Sequence, residues 1–368
     1  MRPRIIALYL PQYHPFKEND EWWGKGFTEW TSVGRAKPLF KGHYQPRVPA
    51  DLGYYDLRLP IVREQQAELA CEAGIEGFCY WHYWFGNGQR LMERVFDEVL
   101  ESGKPDFPFC LGWANHSWFA KNWNSKDTKG SDKLLIEQKY LGDADYRMHY
   151  EFLLKAFKDP RYIKYNGMPV FMIYDANSVP TELLTLWQKW IKEDGFKDGI
   201  YFVGNFNGNK YSNNDYSHLL TKGFNAVTMQ RTFRIRLKSG MFRFIMHAKG
   251  WYNQFRGKPF SIFEYKEASK HFVDKEEDSK EDFVPTIIPN FDHSPRSGKY
   301  GNMLHGATPE LFKEHAKQVL GIVAKKKNPL IFLKSWNEWG EGNYMEPDLK
   351  YGKGFINALK EAINEKVI

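Results

Sequence analysis

The sequence predicts an α/β protein with a (β/α)8 TIM-type barrel and loop insertions. Short runs rich in β-branched and aromatic residues alternate with longer segments in which apolar residues recur at three and four positions. Eight strand-like runs occur, the number that closes such a barrel, and polar and aromatic clusters directly follow most of them. The functional groups of a TIM barrel lie at the C-terminal strand ends, so these clusters fit that fold. A doubly wound parallel sheet is the alternative topology.

The predicted elements follow one another in chain order. The strand-like runs lie near residues 5–10, 77–81, 108–113, 168–174, 200–204, 224–229, 283–289 and 329–334. The helical patterns lie near residues 61–74, 90–102, 143–158, 180–194, 309–325 and 353–365. Thr308 followed by Pro309 is typical of a helix start, because threonine caps the first turn and proline suits its first position.

The length and the composition narrow the class of protein. The chain has 368 residues, which fits two domains by size but also one barrel with insertions. We expect a single catalytic domain over residues 1–368, with insertions at about 18–58, 119–142 and 230–282. Aromatic residues make up 17% of the chain, and many cluster with Asn, His and Gly after apolar runs. Sugar rings stack on aromatic faces and need polar partners for their hydroxyls, so a carbohydrate ligand is favoured.

Charge, cysteines and hydropathy indicate the cellular setting. The net charge of +7 is modest and no nucleic-acid motif occurs, so no nucleic-acid partner is expected. Cys71, Cys79 and Cys110 lack metal or redox spacing and are interpreted as small buried hydrophobes in a reducing compartment. The apolar run at 5–10 is too short for a secretory signal, and no run approaches the roughly 20 apolar residues of a membrane span. We expect a cytoplasmic protein.

No metal or cofactor is expected from the sequence. His82, His116, His293 and Asp292 have none of the spacings that are typical of metal sites. A phosphate-binding glycine loop is also missing, which argues against a nucleotide-binding Rossmann site.

The strongest catalytic candidate is the segment 335–342, Ser-Trp-Asn-Glu-Trp-Gly-Glu-Gly, which follows the last predicted strand. It places Glu338 and Glu341 three residues apart, close enough to share one face of a turn. Glycosidic bonds are cleaved by two carboxyl groups with different tasks. Trp336 and Trp339 would partly desolvate the pair, and burial and mutual repulsion push the two pKa values apart. We therefore predict that Glu338 and Glu341 are the catalytic residues.

The other predicted strand ends supply candidate substrate-binding residues. Because the C-terminal ends of barrel strands meet at one rim, these side chains are predicted to form one cleft with the glutamate pair. They are Tyr13, His14, Trp30, Trp81, His82, Tyr83, Trp84, Trp113, Asn115, His116, Asn290, Asp292, Trp336 and Asn337.

Residues 230–263 contain no acidic residue, although the chain has 45. One interpretation is a solvated helical hairpin whose apolar side packs on the barrel. The other is a peripheral contact with an anionic surface, either the inner membrane face or an acidic polysaccharide. The basic residues of this segment are Arg231, Arg234, Arg236, Lys238, Arg243, Lys249, Arg256 and Lys258.

Three motifs resemble those of the WbsX-like proteins: YLPQYHP at 9–15, ENDEWWGKGFTEW at 18–30 and WNEWGEG at 336–342. Those proteins occur in bacterial O-antigen, capsule and other surface-polysaccharide gene clusters and are often labelled glycosyltransferases. The last motif is also similar, more distantly, to that of the endo-acting α-mannosidases of glycoside hydrolase family 99, which are (β/α)8 barrels. This resemblance implies a barrel fold and an oligosaccharide or polysaccharide substrate.

The resemblance also implies roles for the two glutamates. In the mannosidases the first glutamate of the motif assists the substrate's 2-hydroxyl to attack the anomeric carbon, which gives an epoxide and net retention. The second protonates the leaving oxygen and later activates water. By motif position Glu338 takes the first role and Glu341 the second, whereas Gly340 stands where the mannosidases commonly have histidine.

Three functions remain open from the sequence. The first is a retaining endo-acting glycoside hydrolase or transglycosylase that acts on a bacterial surface polysaccharide or its precursor. The second is a glycosyltransferase, against which the missing nucleotide-sugar fold and the missing Asp-x-Asp motif argue. The third is a catalytically silent glycan-binding protein, against which the presence of both glutamates argues.

Overall fold

The computed structural model describes residues 2–120, 133–206, 215–237 and 241–366, without the side chains of 237, 241–243, 246 and 366. Much of the predicted insertion at 119–142 and the basic residue Lys238 therefore lie outside the described residues.

The strands and helices alternate along most of the chain. The strands are β1 (Arg4–Tyr9), β2 (Gly77–His82), β3 (Phe109–Trp113), β4 (Trp118–Ala120), β5 (Lys133–Ile136), β6 (Lys164–Tyr165), β7 (Met168–Ile173), β8 (Tyr201–Asn205), β9 (Ala226–Thr228), β10 (Ile262–Glu264), β11 (Phe283–Val284), β12 (Thr286–Ile287), β13 (Met303–His305), β14 (Leu330–Leu333), β15 (Asn337–Glu338) and β16 (Asn343–Tyr344).

The helices α3 to α6, α12 and α13 are the six that the sequence predicts. The set is α1 (Lys17–Trp23), α2 (Glu29–Gly34), α3 (Pro60–Ala73), α4 (Glu93–Ser102), α5 (Asp143–Phe157), α6 (Thr181–Glu193), α7 (Ser217–Lys222), α8 (Met241–Phe255), α9 (Tyr265–Ala268), α10 (Lys275–Asp278), α11 (Ser294–Ser297), α12 (Pro309–Val323) and α13 (Gly354–Lys366). The predicted cap of α12 is present, because the Thr308 hydroxyl accepts from the Leu311 amide at 3.4 Å.

All eight predicted strand regions contain strands, but the seventh is divided. Pro285 separates β11 from β12, and it has no backbone N–H to donate to a neighbouring strand. β11 pairs with β9, and β12 pairs with β14. The predicted run 283–289 thus serves two different strand neighbours.

One compact unit comprises Met1–Glu76, Gln230–Lys280 and Pro285–Ile368. In this unit β1 pairs in parallel with β14, and β14 pairs in parallel with β12. These strands are buried, and α12 packs against α13 through the rings of Phe312 and Phe355, whose centroids lie 5.5 Å apart. This unit holds both predicted catalytic glutamates.

The second compact unit comprises Gly77–Met229 and Glu281–Val284. Its parallel strands are ordered β2, β3, β7, β8, β9 and β11. The aromatic core around Trp187 includes Trp113 and Phe171, whose ring centroids lie 6.1 and 5.7 Å from that of Trp187. This unit holds the sequence-predicted site residues from Trp81 to His116.

The parallel strands form a nearly closed barrel with flanking helices, so the predicted TIM-type fold class is confirmed and the doubly wound alternative is wrong. The single-domain boundary of 1–368 stays a prediction. Cys79 and Cys110 are buried as predicted, but Cys71 is exposed because it lies on the outer face of α3. No helix among the described residues is long and apolar enough to cross a membrane.

Candidate active site

The segment that carries the two glutamates is fixed to the first strand of the barrel. The Trp336 amide donates to the Leu8 carbonyl at 2.8 Å. The Asn337 side chain accepts from the Leu10 amide at 2.8 Å and donates to the Leu10 carbonyl at 3.0 Å. Both side chains are fully buried, so they anchor the segment between β14 and the glutamates.

Arg296 brings the two predicted catalytic carboxylates together. Its Nη2 lies 2.6 Å from Glu338 Oε1, and its Nη1 lies 3.1 Å from Glu341 Oε1. Its Nε lies 3.0 Å from Oε2 of a third carboxylate, that of Glu29 at the start of α2. One guanidinium group therefore contacts three glutamates, and Lys334 Nζ stands 3.7 Å from Glu341 Oε2.

The cluster carries more negative than positive charge when all its groups are ionised. Burial, together with the carboxylates of Glu341 and Glu29, raises the pKa of Glu338 to about 8 against the opposing charges of Arg296 and Lys334. Glu338 therefore holds a proton in much of the population at neutral pH. Glu341 is the more exposed of the two catalytic candidates.

Position 340, between the two glutamates in sequence, has no room for a Cβ atom beside the present side chains of Glu29 and Arg296, and it is a glycine. A Cβ atom there would lie 2.1 Å from Glu29 Oε2 and 2.8 Å from Arg296 Nε. Position 340 is the one at which the family 99 mannosidases commonly have histidine. In this protein the Glu29–Arg296 ion pair fills the space that a side chain at that position would need.

Aromatic residues pack beside the glutamates. Tyr13 accepts a hydrogen bond from the Trp339 amide at 2.9 Å, and its ring lies 4.5 Å from that of Trp30. Burial, together with the charges of Glu338 and Glu29, raises the pKa of Tyr13, so its phenol stays protonated. Trp30 is half-buried and its indole donates to the Tyr55 carbonyl at 2.7 Å. His14 is buried, with Nδ1 3.0 Å from the Pro15 carbonyl.

A buried carboxylate on a neighbouring loop supports Glu341. The Asp292 amide donates to the Glu341 carbonyl at 2.6 Å, and Asp292 Oδ2 lies 2.8 Å from His43 Nε2 and 2.7 Å from Gln45 Nε2. Burial opposes ionisation of Asp292, but the hydrogen bonds from His43 and Gln45 and the charge of Arg47 outweigh it and lower its pKa. Asp292 is therefore ionised and engaged with protein groups.

Asn290 and Arg47 complete this support. Arg47 Nη1 donates to Asn290 Oδ1 at 2.8 Å and to the Gly342 carbonyl at 2.7 Å. Gly342 has a φ of +53°, and a Cβ atom there would lie 2.9 Å from the Asp292 side chain. The turn after Glu341 consequently requires glycine.

Glu346 is a further buried carboxyl group in the same unit. It accepts from the Trp339 indole at 2.6 Å, from Gln66 Nε2 at 2.6 Å and from the Tyr55 hydroxyl at 2.9 Å. Burial raises its pKa to about 7, while these hydrogen bonds oppose the shift. By accepting these hydrogen bonds, Glu346 holds the side chains of Trp339 and Tyr55 in place behind the glutamate pair.

In the second compact unit, the histidine predicted after β2 has a partner on α5. His82 Nε2 lies 2.8 Å from His149 Nε2, and Trp84 stacks on the His149 ring at a centroid distance of 4.5 Å. Burial lowers the pKa of both histidines well below the usual value, so the pair is neutral. The Trp113 indole donates to the Trp84 carbonyl at 3.0 Å, which brings three of the predicted residues together.

The remaining candidates of that unit lie at the ends of β2 and β3. Tyr83 is buried with its ring 5.3 Å from that of Trp118, and Asn115 is buried with Nδ2 2.9 Å from the Asp175 carbonyl. Trp81 and His116 are the more accessible, and each packs against the ring of Tyr174. Sugar contact through these residues stays a prediction.

The sequence did not point to several residues that contact the predicted site residues. Glu29 lies in the motif at 18–30, of which the sequence indicated only Trp30 as a site residue. Arg296 follows the seventh predicted strand, and this location near a strand end was the only feature of the sequence that indicated a role in the site. His149 had no signal, because it lies within a helix. Among the described residues, no group of three or more His, Cys, Asp or Glu side chains is arranged to hold a metal ion.

The fold of this chain is a TIM-type barrel, and solved proteins with a similar fold include glycoside hydrolases. The fold is shared with a glycoside hydrolase family 99 endo-α-mannosidase from Bacteroides thetaiotaomicron, with a TM-score of 0.59 and 13% identity over 99% of this chain and 97% of that one. A solved glycoside hydrolase-like protein gives a TM-score of 0.59 at 15% identity over 98% and 94% of the two chains.

The chain belongs to the WbsX glycosyltransferase family, which matches residues 5–359. It is 32% identical over 98% of its length to the uncharacterized protein WxcX of Xanthomonas campestris pv. campestris strain B100. The chain spans about half the length of that relative, 49%.

Proposed function

We propose that the chain is a retaining, endo-acting glycoside hydrolase or transglycosylase. The observation that carries the proposal is the contact of Glu338 and Glu341 with the one guanidinium group of Arg296. Two carboxyl groups so close together meet the main requirement for glycosidic bond cleavage, in which they flank one sugar carbon about 5 to 9 Å apart. The family and the fold support a carbohydrate substrate.

In the proposed first step, the Glu338 carboxylate takes the proton of the sugar 2-hydroxyl while that oxygen attacks the anomeric carbon. Glu341, in its protonated form, gives its proton to the glycosidic oxygen as the bond to the anomeric carbon breaks, which leaves an epoxide. A base with a raised pKa removes a hydroxyl proton better than an ordinary carboxylate does, which fits the burial of Glu338.

In the second step, water attacks the anomeric carbon and gives its proton to Glu341. The epoxide oxygen regains its proton from Glu338, and both carboxyl groups return to their starting states. Each step inverts the anomeric carbon, so the two together retain its configuration. A sugar hydroxyl that replaces water gives transglycosylation.

The proposed substrate is a bacterial surface polysaccharide of the O-antigen or capsule type, or its precursor. Its support is the WbsX family, to which the chain belongs. A cytoplasmic site of action is part of the same proposal, because precursors are assembled before export.

The description of the family favours a second candidate, a glycosyltransferase. The two are separated by incubating candidate oligosaccharides with the protein in the presence and in the absence of nucleotide sugars. The hydrolase predicts shortened products without any nucleotide sugar. Products that form only with a nucleotide sugar, with release of the nucleotide, would establish the transferase.

Glu338→Gln and Glu341→Gln test the two roles. We expect Glu341→Gln to lose turnover of natural glycosides while it still binds them, because an amide cannot donate the proton. Glu338→Gln should lose activity with good and poor leaving groups alike. Glu310→Gln, at an exposed position of α12, is the matched control and should keep full activity. Near-native rates for Glu338→Gln would exclude the proposed mechanism.

A further inference from the structure

Among its described residues, helix α8 carries five large apolar side chains on its solvent-facing side. The exposed fractions are 72% for Phe244, 54% for Ile245, 68% for Trp251, 58% for Tyr252 and 91% for Phe255. Their spacing is that of one helical face, since residues three, four and seven apart lie on the same side. We refer to these five residues as the α8 stripe.

The opposite side of α8 faces the protein. Gly250 and Asn253 are buried, and a Cβ atom at Gly250 would lie 2.6 Å from the Phe260 ring. Successive helical residues are rotated by about 100°, which places Gly250 and Asn253 across the helix from the α8 stripe. Among the side chains that the structure describes, the helix thus turns glycine and asparagine inward and the five residues of the α8 stripe outward.

The expected packing of an apolar hairpin face on the barrel does not include these five side chains of α8. A surface helix that stabilises its own fold turns its apolar residues toward the core. Five exposed large apolar side chains along one helix instead mark a surface that binds something else.

Part of the predicted basic surface is absent from the segment 230–263. Arg231 is buried and forms ion pairs with Glu277 and Asp278, and Arg234 pairs with Asp274 at 2.8 Å. Acidic residues that follow the segment in sequence thus neutralise its first two cations.

Three cations remain beside the α8 stripe. Lys249, Arg256 and Lys258 form no ion pair within the described ranges of the chain, and the Arg256 guanidinium donates to the Tyr252 hydroxyl at 3.1 Å. Lys249 and Arg256 flank the stripe along one edge of the helix. No acidic residue occurs between 230 and 263, so this segment adds no negative charge beside the α8 stripe.

We propose that α8 binds the surface of an anionic lipid bilayer and lies in its plane. The α8 stripe enters the headgroup region, and Lys249, Arg256 and Lys258 contact lipid phosphates. The charge pattern favours this occupant over a second copy of the chain, because two copies would bring like charges together. With 15 residues the helix is too short to span a bilayer. The proposal does not depend on the catalytic activity.

Co-sedimentation with lipid vesicles tests the proposal. The full chain is mixed with vesicles of phosphatidylcholine alone and of phosphatidylcholine with phosphatidylglycerol, over a series of salt concentrations. We expect binding to the anionic vesicles only, weakened by salt because exposed charges are screened. The Lys249→Gln, Arg256→Gln and Lys258→Gln substitutions should each weaken binding about fivefold. Trp251→Ser with Phe255→Ser should weaken it at least about tenfold.

Matched controls alter the same chemistry elsewhere on the surface. Ile61→Ser with Leu349→Ser removes two exposed apolar side chains, and Lys17→Gln with Lys189→Gln removes two exposed cations. Circular dichroism melting shows that each variant is folded. Equal and negligible binding of the unaltered chain to both vesicle types would overturn the proposal, and so would undiminished binding of the α8 variants. A dimer seen by sedimentation velocity without lipid, and lost with Trp251→Ser, would assign the α8 stripe to a second copy instead.

Discussion

Arg296 determines the charge of the candidate catalytic pair. Its guanidinium contacts Glu338, Glu341 and Glu29, so three carboxylates share one cation that is mostly, but not fully, buried. Removing one partner from a buried ion pair costs several kcal/mol, about 3 to 5, because an uncompensated charge remains. The sequence places the glutamates correctly after a strand, but an isolated arginine in a loop has no pattern that indicates which carboxylates it meets.

The raised pKa of Glu338 predicts the pH dependence of the reaction. The first step needs one ionised and one protonated carboxyl group, so kcat/KM should follow a bell-shaped pH profile. Its alkaline limb should fall about tenfold per pH unit above about 8, where the pair loses its last proton. Arg296→Met removes a positive charge that lowers this pKa, so the midpoint should move to higher pH. Arg94→Met, at an exposed position of α4, is the control. A rate that stays constant above pH 8 would show that the reaction needs no proton on this pair, and would contradict the proposed mechanism.

Gly340 predicts a steric coupling with Glu29. Gly340→Ala places a Cβ atom 2.1 Å from Glu29 Oε2, so we expect a loss of about 1 to 3 kcal/mol in the free energy of unfolding. In a Glu29→Ala background the closest contact is removed and only the Arg296 guanidinium remains near, with Nε 2.8 Å from the added atom, so the loss should fall to about 1 kcal/mol or less. Urea unfolding of the four proteins in this cycle measures the coupling. Gly34→Ala is the control, since nothing lies within 4 Å of the added atom. Equal losses in both backgrounds would contradict the packing described here.

At the scale of elements, hydrophobic periodicity was sufficient for the barrel strands and for six of the seven helices of ten or more residues in the described part of the chain. Their apolar runs are buried on the sheet, and that burial is the signal which the periodicity reports. Pro285 has a clear local effect on strand pairing, yet the unbroken apolar run around it predicted one strand. The orientation of α8 could not be predicted, because an amphipathic pattern does not state which side faces solvent.

The contact between β1 and the glutamate segment predicts a large effect of a small substitution. Asn337 is fully buried and bonds both backbone groups of Leu10. Asn337→Asp puts a carboxylate against the Leu10 carbonyl, so we expect a loss of about 2 to 4 kcal/mol at neutral pH. The loss should shrink in acid, where the protonated carboxyl group donates to that carbonyl. Asn364→Asp, on the exposed side of α13, should change little in the same unfolding experiment.

At the scale of the molecule, two motifs from opposite ends of the sequence meet in one compact unit. Tyr13 and Leu10 near the N-terminus contact Trp339 and Asn337 near the C-terminus, and the same unit holds Glu29 and Arg296. The N-terminal and C-terminal motifs that resemble one family are thus in direct contact in the structure. The aromatic residues of the second unit, with the neutral His82–His149 pair, remain predicted sugar-binding residues.

The stereochemical course is a property of the whole reaction, and it separates the proposed mechanism from its alternatives. Participation of the 2-hydroxyl predicts that the first product has the anomeric configuration of the substrate, observable by proton NMR before mutarotation. A 2-deoxy analogue should still bind but be turned over at least about a thousandfold more slowly, because its internal nucleophile is missing. The matched control is an analogue that lacks a hydroxyl elsewhere on the same ring. Retention with rapid turnover of the 2-deoxy analogue would make a carboxylate the nucleophile, and inversion would assign Glu338 or Glu341 to the activation of water.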